Sequence, residues 1–327
     1  MTERPDLRVR DIGSFFVGGA QMQMSGRPVG TVQYAQGAAP VSVDPNGTYI
    51  SGQVYVQYVL LANSSRLPIL FLNGGTFTGA MWETTPDGRP GWQRLFLDKG
   101  YSSYLTDAVG KGRASYAPFP EIFAAPPVFR PLEETWKLLR IGPRYTPDPA
   151  ARETFPGVQF PIDHFDAFAR QGVPRFPGQD SVELAAYDDL LDRIGRCIVV
   201  AQSSGGYFAT LLASKRPRDI AAIVTVELTA VPDTATAGMA ALAAVPQLIL
   251  WGDNIPTSPM WMSNKETVRR YADAVNSRGG RVDILDLPAR GVAGNSHQMM
   301  MDCNNDVLAD LVAAWLDDLP DMQANPR

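Results

Sequence analysis

The feature that most constrains this fold is an alternation of short apolar runs with amphipathic, helix-length stretches. The runs of strand length are Pro68 to Leu72, Tyr101 to Thr106, Cys197 to Ala201, Ala221 to Val226, Gln247 to Trp251 and Val282 to Leu287. The amphipathic stretches include Val182 to Ile194, Gly206 to Lys215, Lys265 to Ser277 and Asp306 to Leu319. Strands that alternate with helices predict an α/β fold, with a mostly parallel sheet covered on both faces.

The first sixty or so residues follow a different pattern and predict β-hairpins. Candidate strands lie at Arg10 to Phe16, Val41 to Val43 and Tyr49 to Leu61, where apolar and polar residues alternate. Asn46-Gly47 is a favourable two-residue turn and is predicted to join the second and third of these strands.

A segment from about residue 116 to 180 interrupts the alternation. It is crowded with proline and aromatic residues, and only Leu132 to Leu139 has a helical pattern. Because proline disrupts both helices and strand pairing, we expect irregular structure or short helices there. The segment is too long and too apolar for a plain loop, and we interpret it as a cap inserted over the active site. The predicted division is 1–115 for the hairpins and first half of the core, 116–180 for the cap, and 181–327 for the second half.

Composition narrows the function classes. The chain has 327 residues, 45% of them hydrophobic and 19% charged, with a formal net charge of −5. No block of like charges and no basic stripe is present, which argues against nucleic acid as a partner. Met1 to Arg10 is polar and no apolar run of membrane-spanning length follows, so we expect a cytoplasmic protein without a membrane partner.

Cysteine and histidine usage argues against a metal or disulfide framework. Cys197 and Cys303 are the only cysteines, and we expect both to be free thiols. His164 and His297 are far apart in the sequence and match no zinc-binding pattern. The sequence therefore predicts neither a metal nor a cofactor.

Ser203 is the strongest candidate nucleophile. It follows the apolar run that begins at Cys197 and precedes a helical stretch, and Ala201 and Gly205 are the small residues two positions before and after it. A nucleophile elbow needs this context, because the strand and helix must approach closely for the serine oxygen to be exposed. The alternatives are Ser204 as the nucleophile, or a serine that only caps the helix.

His297 is the candidate base for this serine. Histidine can accept a proton near neutral pH, and His297 lies in a loop between the last predicted strand and the last helix. Its place after the nucleophile and the candidate acids matches the chain order nucleophile, acid, histidine, which is one of the orders known for this triad.

Two carboxylates compete to orient the histidine. Glu227 and Asp253 each follow a predicted strand after the elbow. Asp253 has the more usual position in this fold, and either carboxylate could instead cap a helix or close a turn.

A glycine pair supplies candidate donors for an oxyanion. Gly74-Gly75-Thr76 follows the first long apolar strand, where glycine lets backbone N–H groups face a substrate. We expect the N–H of Gly75 or Thr76 to pair with that of Ser204. A simple turn is the alternative.

Several motifs together resemble a bacterial carboxylesterase subgroup of the α/β-hydrolase superfamily. They are Leu72-Asn73-Gly74-Gly75, Trp82-Glu83-Thr84-Thr85-Pro86-Asp87-Gly88, Thr106-Asp107-Ala108-Val109-Gly110-Lys111-Gly112-Arg113, the elbow, Val226-Glu227 and Gly294-Asn295-Ser296-His297. The resemblance implies that Glu227 is the triad acid, that the pocket is capped, and that the protein forms a homodimer or a larger homo-oligomer. Asn73 and Gln202 depart from it, since histidine is common at both positions.

The function expected from these residues is hydrolysis of a small to medium apolar carboxylic ester through an acyl-enzyme. A lactone could follow the same steps with its alcohol still tethered. A non-catalytic member of the fold that binds a small ligand is the alternative from a different class.

Overall fold

A computed structural model describes residues 6–233, 238–320 and 322 of the chain. Residues 1–5 and 323–327, at the two ends of the predicted domain division, lie outside the described residues. The strands are β1 (Val9–Met24), β2 (Gly30–Val32), β3 (Val41–Val43), β4 (Gly47–Leu61), β5 (Ile69–Leu72), β6 (Ser103–Asp107), β7 (Cys197–Gln202), β8 (Ile220–Val226), β9 (Gln247–Trp251) and β10 (Val282–Asp286). The α-helices are α1 (Trp92–Asp98), α2 (Leu132–Leu138), α3 (Phe165–Ala169), α4 (Asp180–Ile194), α5 (Ser204–Lys215), α6 (Met239–Ala243), α7 (Pro259–Asn276) and α8 (Asn305–Asp317).

Eight strands form one sheet in the order β1-β4-β6-β5-β7-β8-β9-β10. All pairings from β6 to β10 are parallel, whereas β1 and β4 pair antiparallel and β4 joins β6 antiparallel. This arrangement confirms the predicted fold class, a mostly parallel sheet with antiparallel N-terminal strands.

Both faces of the sheet are buried, which explains why the central strands are continuous apolar runs. Ile198 and Val200 of β7 belong to the core on one face, and Val199 and Ala201 belong to the core on the other. This alternation follows from the two-residue period of a strand. Because β7, β8 and β9 are parallel neighbours, their carboxyl ends lie side by side at one end of the sheet.

The N-terminal hairpin prediction was wrong in its pairing. β3 pairs with β2 in a separate two-stranded sheet, and β4 pairs with β1 through fourteen residue pairs. Asn46 does not close a hairpin, since its side chain exchanges hydrogen bonds with the backbone of Arg27. β1 instead pairs with β4 over the whole length of β4, from Gly47 to Leu61.

The segment of residues 116–180 contains α2, α3 and two short 3-10 turns, as its proline content predicts. Its aromatic residues form a linked cluster that includes Trp136, Tyr145, Phe165 and Phe168. In the described part of the chain, no helix is both long and apolar enough to span a bilayer.

Candidate active site

Ser203 occupies a sharp turn between β7 and α5. Its backbone has φ +54° and ψ −121°, a conformation that non-glycine residues rarely adopt, and its N–H donates to Val226 O at 2.9 Å. Such a conformation costs on the order of 1–3 kcal/mol and persists only where the surroundings impose it. The surroundings are tight, because a Cβ at Gly205 would lie 2.8 Å from Leu72 O and one at Gly206 would lie 2.3 Å from Thr225 Cγ2.

Glu227 and His297 are joined at the neighbouring strand end. Glu227 follows β8, is fully buried, and also has a positive φ of +50°. Its Oε2 lies 2.5 Å from His297 Nδ1, and its Oε1 accepts the N–H of Gly252 at 2.9 Å. The same Oε1 accepts a hydrogen bond from Arg140 Nη2. The carboxylate is therefore fixed through both oxygens.

The other nitrogen of the imidazole ring faces Gln202. Gln202 Nε2 lies 2.7 Å from His297 Nε2, and among the described residues no hydrogen bond links Ser203 Oγ to the ring. With the amide nitrogen assigned toward the ring, Nε2 accepts and Nδ1 donates to Glu227, which is the neutral tautomer. In that tautomer the free lone pair of the ring, which could accept a proton, is on Nε2 beside Gln202.

Burial and the neighbouring charges set the protonation states. Burial by itself raises the pKa of Glu227, but the Arg140 guanidinium and the hydrogen bond from His297 outweigh it and lower this pKa to about 2. Burial lowers the pKa of His297, and Arg140 acts in the same direction while Glu227 opposes both. The pair therefore holds a carboxylate and a neutral imidazole at neutral pH.

Asp253 has a different partner. Its Oδ2 accepts the N–H of Asn295 at 3.1 Å, and its own N–H donates to Asn295 O at 2.8 Å. Asp253 thus holds the loop before His297, and Glu227 is the carboxylate that contacts the ring.

A buried carboxylate that the sequence did not indicate also holds this loop. Asp302 accepts hydrogen bonds from the N–H and the hydroxyl of Ser296 and from the amide of Asn295, at 2.7 to 3.0 Å. Burial raises the pKa of Asp302 to about 7, although these hydrogen bonds oppose the shift. The only signal for it was a carboxylate five residues after the histidine.

The predicted oxyanion donors lie on both sides of the elbow turn, Ser204 within it and Gly75 facing it, and they are not equivalent. Ser204 is the first residue of α5, so its N–H has no acceptor within the helix. Gly75, at φ +54°, donates its N–H to Ser204 Oγ at 3.2 Å. Gly74 packs closely here, since a Cβ on it would lie 2.8 Å from Ser203 Cβ. Asn73 turns away, with its Nδ2 donating to Phe77 O.

A cavity of about 130 Å³ lies beside Thr76 and Phe77, which follow β5, and its lining does not include Ser203, Glu227 or His297. Thr76 and Phe77 form one wall, and the segment of residues 116–180 supplies the others. Those residues give the cavity a mixed polar and apolar lining, and they are Phe129, Arg130, Leu132, Thr135, Phe168, Ala169, Gly172 and Val173.

Comparison with a solved structure decides the family. A novel bacterial esterase known at atomic resolution is 32% identical to this chain, with 97% of this chain and 99% of that one covered and a TM-score of 0.82. The chain belongs to the α/β-hydrolase superfamily. It is a carboxylic ester hydrolase, and the resemblance drawn from its motifs is confirmed at the level of the superfamily and its esterases. No family model matches the sequence.

A curated relative corrects one prediction about the esterase. The "Probable secreted lipase phiG" of Fungal sp. (strain ATCC 74256) is 27% identical over 320 residues, which cover 83% of this chain and 87% of the relative. Its description as secreted contradicts the cytoplasmic location predicted above, and that prediction was wrong. The prediction depended on the polar composition of the first ten residues, which is a poor guide to where a protein is located.

Proposed function

We propose that the esterase forms an acyl-enzyme on Ser203, with His297 as general base and acid and Glu227 as the residue that orients the imidazole. The observation that carries the proposal is the buried 2.5 Å contact between Glu227 Oε2 and His297 Nδ1, at the strand next to the Ser203 turn. Of the two carboxylates that the sequence left open, Glu227 has this contact, and Asp253 binds a backbone N–H instead.

In the first half-reaction, Ser203 Oγ attacks the ester carbonyl carbon while its proton passes to His297 Nε2. The carbonyl π electrons move to oxygen, and the resulting oxyanion is stabilised by the N–H of Ser204 and that of Thr76, or that of Gly75 once it exchanges Ser204 Oγ for the oxyanion. Collapse breaks the bond to the alcohol oxygen, which takes the proton from His297. Water then repeats these steps on the acyl-enzyme, releases the acid and restores Ser203.

Gln202 must release the base before this chemistry begins. Its amide occupies the side of Nε2 from which the serine proton would arrive. Because catalytic hydrogen bonds often tighten only when substrate is bound, we expect substrate to displace the amide and bring Ser203 Oγ toward the ring.

We propose an apolar ester of small to medium size as the substrate. The 130 Å³ cavity beside Thr76 has room for a short acyl or alcohol group, and Phe77, Leu132 and Phe168 supply the apolar part of its lining. A lactone remains the second candidate, because ring opening by the same steps leaves the alcohol attached to the acyl group.

We further propose that residues 116–180 act as the cap, since they supply most of the cavity wall.

The proposal is tested by measuring turnover of p-nitrophenyl acetate, butyrate and octanoate. Hydrolysis of a simple lactone is measured as well, by titrating the acid that it releases. Ser203→Ala should reduce turnover by about a millionfold, as expected where a triad acts as a unit. Ser204→Ala keeps the backbone N–H and should lose far less. Retained activity in Ser203→Ala, with an unchanged circular dichroism spectrum, would overturn the assignment.

A further inference from the structure

Arg140 is a buried charge that the steps above do not use. Its side chain is 1% exposed, and it lies in the segment of residues 116–180, just beyond the end of α2. Its Nη2 donates to Glu227 Oε1, and its Nε donates to Asp253 O at 2.7 Å. The guanidinium also lies 4.8 Å above the ring of Trp261.

Leu138, Leu139 and Arg140, at the end of α2, each form a hydrogen bond to a different part of the site. Leu138 O accepts from Trp261 Nε1 at 3.1 Å, and Leu139 O accepts the backbone N–H of His297 at 3.0 Å. Trp261 in turn packs on the imidazole, with 4.4 Å between ring centroids. The end of α2 therefore touches the histidine directly, through Trp261, and through the carboxylate.

We propose that Arg140 is a positioning residue through which the inserted segment fixes the orientation and charge of the Glu227–His297 pair. The inference rests on the proposed function of that pair. A planar guanidinium offers donors in a fixed geometry, so it can hold Glu227 Oε1 and leave Oε2 for the imidazole. The left-handed backbone of Arg140, with φ +56°, indicates that the surrounding contacts impose this placement.

The charge of Arg140 has a separate effect on the base. The charged or titratable groups that face His297 are Glu227 from the end of β8 and Arg140 from the insertion, while Asp253 and Asp302 bind the loop that carries it. A positive charge beside the pair disfavours proton uptake by the imidazole. Loss of that charge should therefore raise the pKa at which the pair takes up a proton, a macroscopic value that belongs to both groups.

The test compares pH profiles of kcat/KM for wild type, Arg140→Gln and Arg140→Lys. Arg140→Gln keeps a donor for Glu227 but removes the charge, and we expect its acid limb to move up by about one pH unit, with kcat reduced by about a hundredfold. Arg140→Lys keeps the charge, so its acid limb should stay near that of wild type while kcat falls about tenfold because the fixed donor geometry is lost. The pKa comes from the shape of the profile, so a smaller folded fraction does not alter it.

Arg152→Gln is the matched control. Arg152 is a buried arginine of the same segment, with a 3% exposed side chain that pairs with Asp166 at 2.7 Å, and none of its contacts is with Glu227 or His297. We expect Arg152→Gln to lower the stability of the protein and to leave the acid limb of the kcat/KM profile at its wild-type pH. An unmoved limb in Arg140→Gln, or an equal shift in Arg152→Gln, would overturn the inference.

If Arg140→Gln does not fold, Arg140→Lys decides the matter, and a kcat equal to wild type would overturn the inference. The two proposals fail separately. If Ser203→Ala or Glu227→Gln stays active, the proposed function fails. If both variants lose activity while Arg140→Gln keeps the wild-type pH profile of kcat/KM, only the proposed role of Arg140 fails.

Discussion

Ser203 and Glu227 are non-glycine residues with left-handed backbones, and they follow neighbouring strands of the sheet. In each case the strand ends and the chain turns sharply, which directs the side chain over the sheet edge. The cost of these conformations is met by close packing, as the absence of room for a Cβ at Gly205 and Gly206 indicates. Residues placed in this way are typical of sites where geometry matters more than local stability.

At this scale the first prediction separates the two carboxylates. Glu227→Gln should reduce kcat by about ten-thousandfold, because an amide no longer selects the Nδ1–H tautomer of His297. Asp253→Asn should do much less, since Asp253 contacts the loop backbone and not the ring. Steady-state kinetics of the two variants, with circular dichroism as the control for folding, checks this. The reverse order of effects would assign the acid to Asp253.

The second prediction concerns the pH dependence of the wild-type enzyme. His297 must be neutral to accept the serine proton, and its pKa is lowered from 6.5, chiefly by burial. The kcat/KM should therefore rise with pH along a limb centred below 6.5 and be fully developed at neutral pH. A profile recorded from pH 4 to 9, where chemistry is rate-limiting, measures this. A limb centred well above 7 would contradict the lowered pKa, and a profile without any limb would count against His297 as the base.

Among these residues, sequence reasoning reached those whose position follows from a strand end. Ser203, Glu227 and His297 stand directly after strands or in the loop before the last helix, so periodicity locates them. Arg140 has no such signal, because it lies in a proline-rich segment and meets Glu227 across 87 positions of sequence. A contact of that kind exists only after the segment has folded onto the sheet.

At the scale of elements, the central strands were predictable because they are buried on both faces. The predicted strand Gln247 to Trp251 coincides with β9, and the predicted helix Val182 to Ile194 falls within α4. The pairing of the N-terminal strands was not predictable in the same way. Asn46-Gly47 is a good turn locally, but β4 pairs with β1, which begins 38 positions earlier in the chain.

The elbow gives the prediction that belongs to this scale. Gly205→Ala should destabilise the esterase by about 1–3 kcal/mol, because its new Cβ would meet the backbone oxygens of Leu72 and Asn73 and force β5 and α5 apart. Gly30→Ala is the matched control, since no atom lies within 4 Å of a Cβ built there. Chemical denaturation of both variants measures the difference. Equal stabilities would mean that the elbow does not depend on close approach of strand and helix.

At the scale of the whole molecule, the sheet of the esterase positions the residues at its strand ends. The segment of residues 116–180 packs over those strand ends and contacts the same residues. Leu139 and Arg140 of that segment bind His297 and Glu227, so the two parts meet at the pair. The division into two core halves and a cap, and the homodimer or larger oligomer implied by the family resemblance, stay predictions.

We propose that one serine in the chain, Ser203, carries the acyl group. The most direct measurement is mass spectrometry of the esterase after reaction with a fluorophosphonate, first on the intact chain and then on its peptides. We expect one adduct per chain, located on Ser203, and none on Ser203→Ala under the same conditions. An adduct on Ser204 or on any other residue, or a fully inhibited enzyme with Ser203 unmodified, would contradict it.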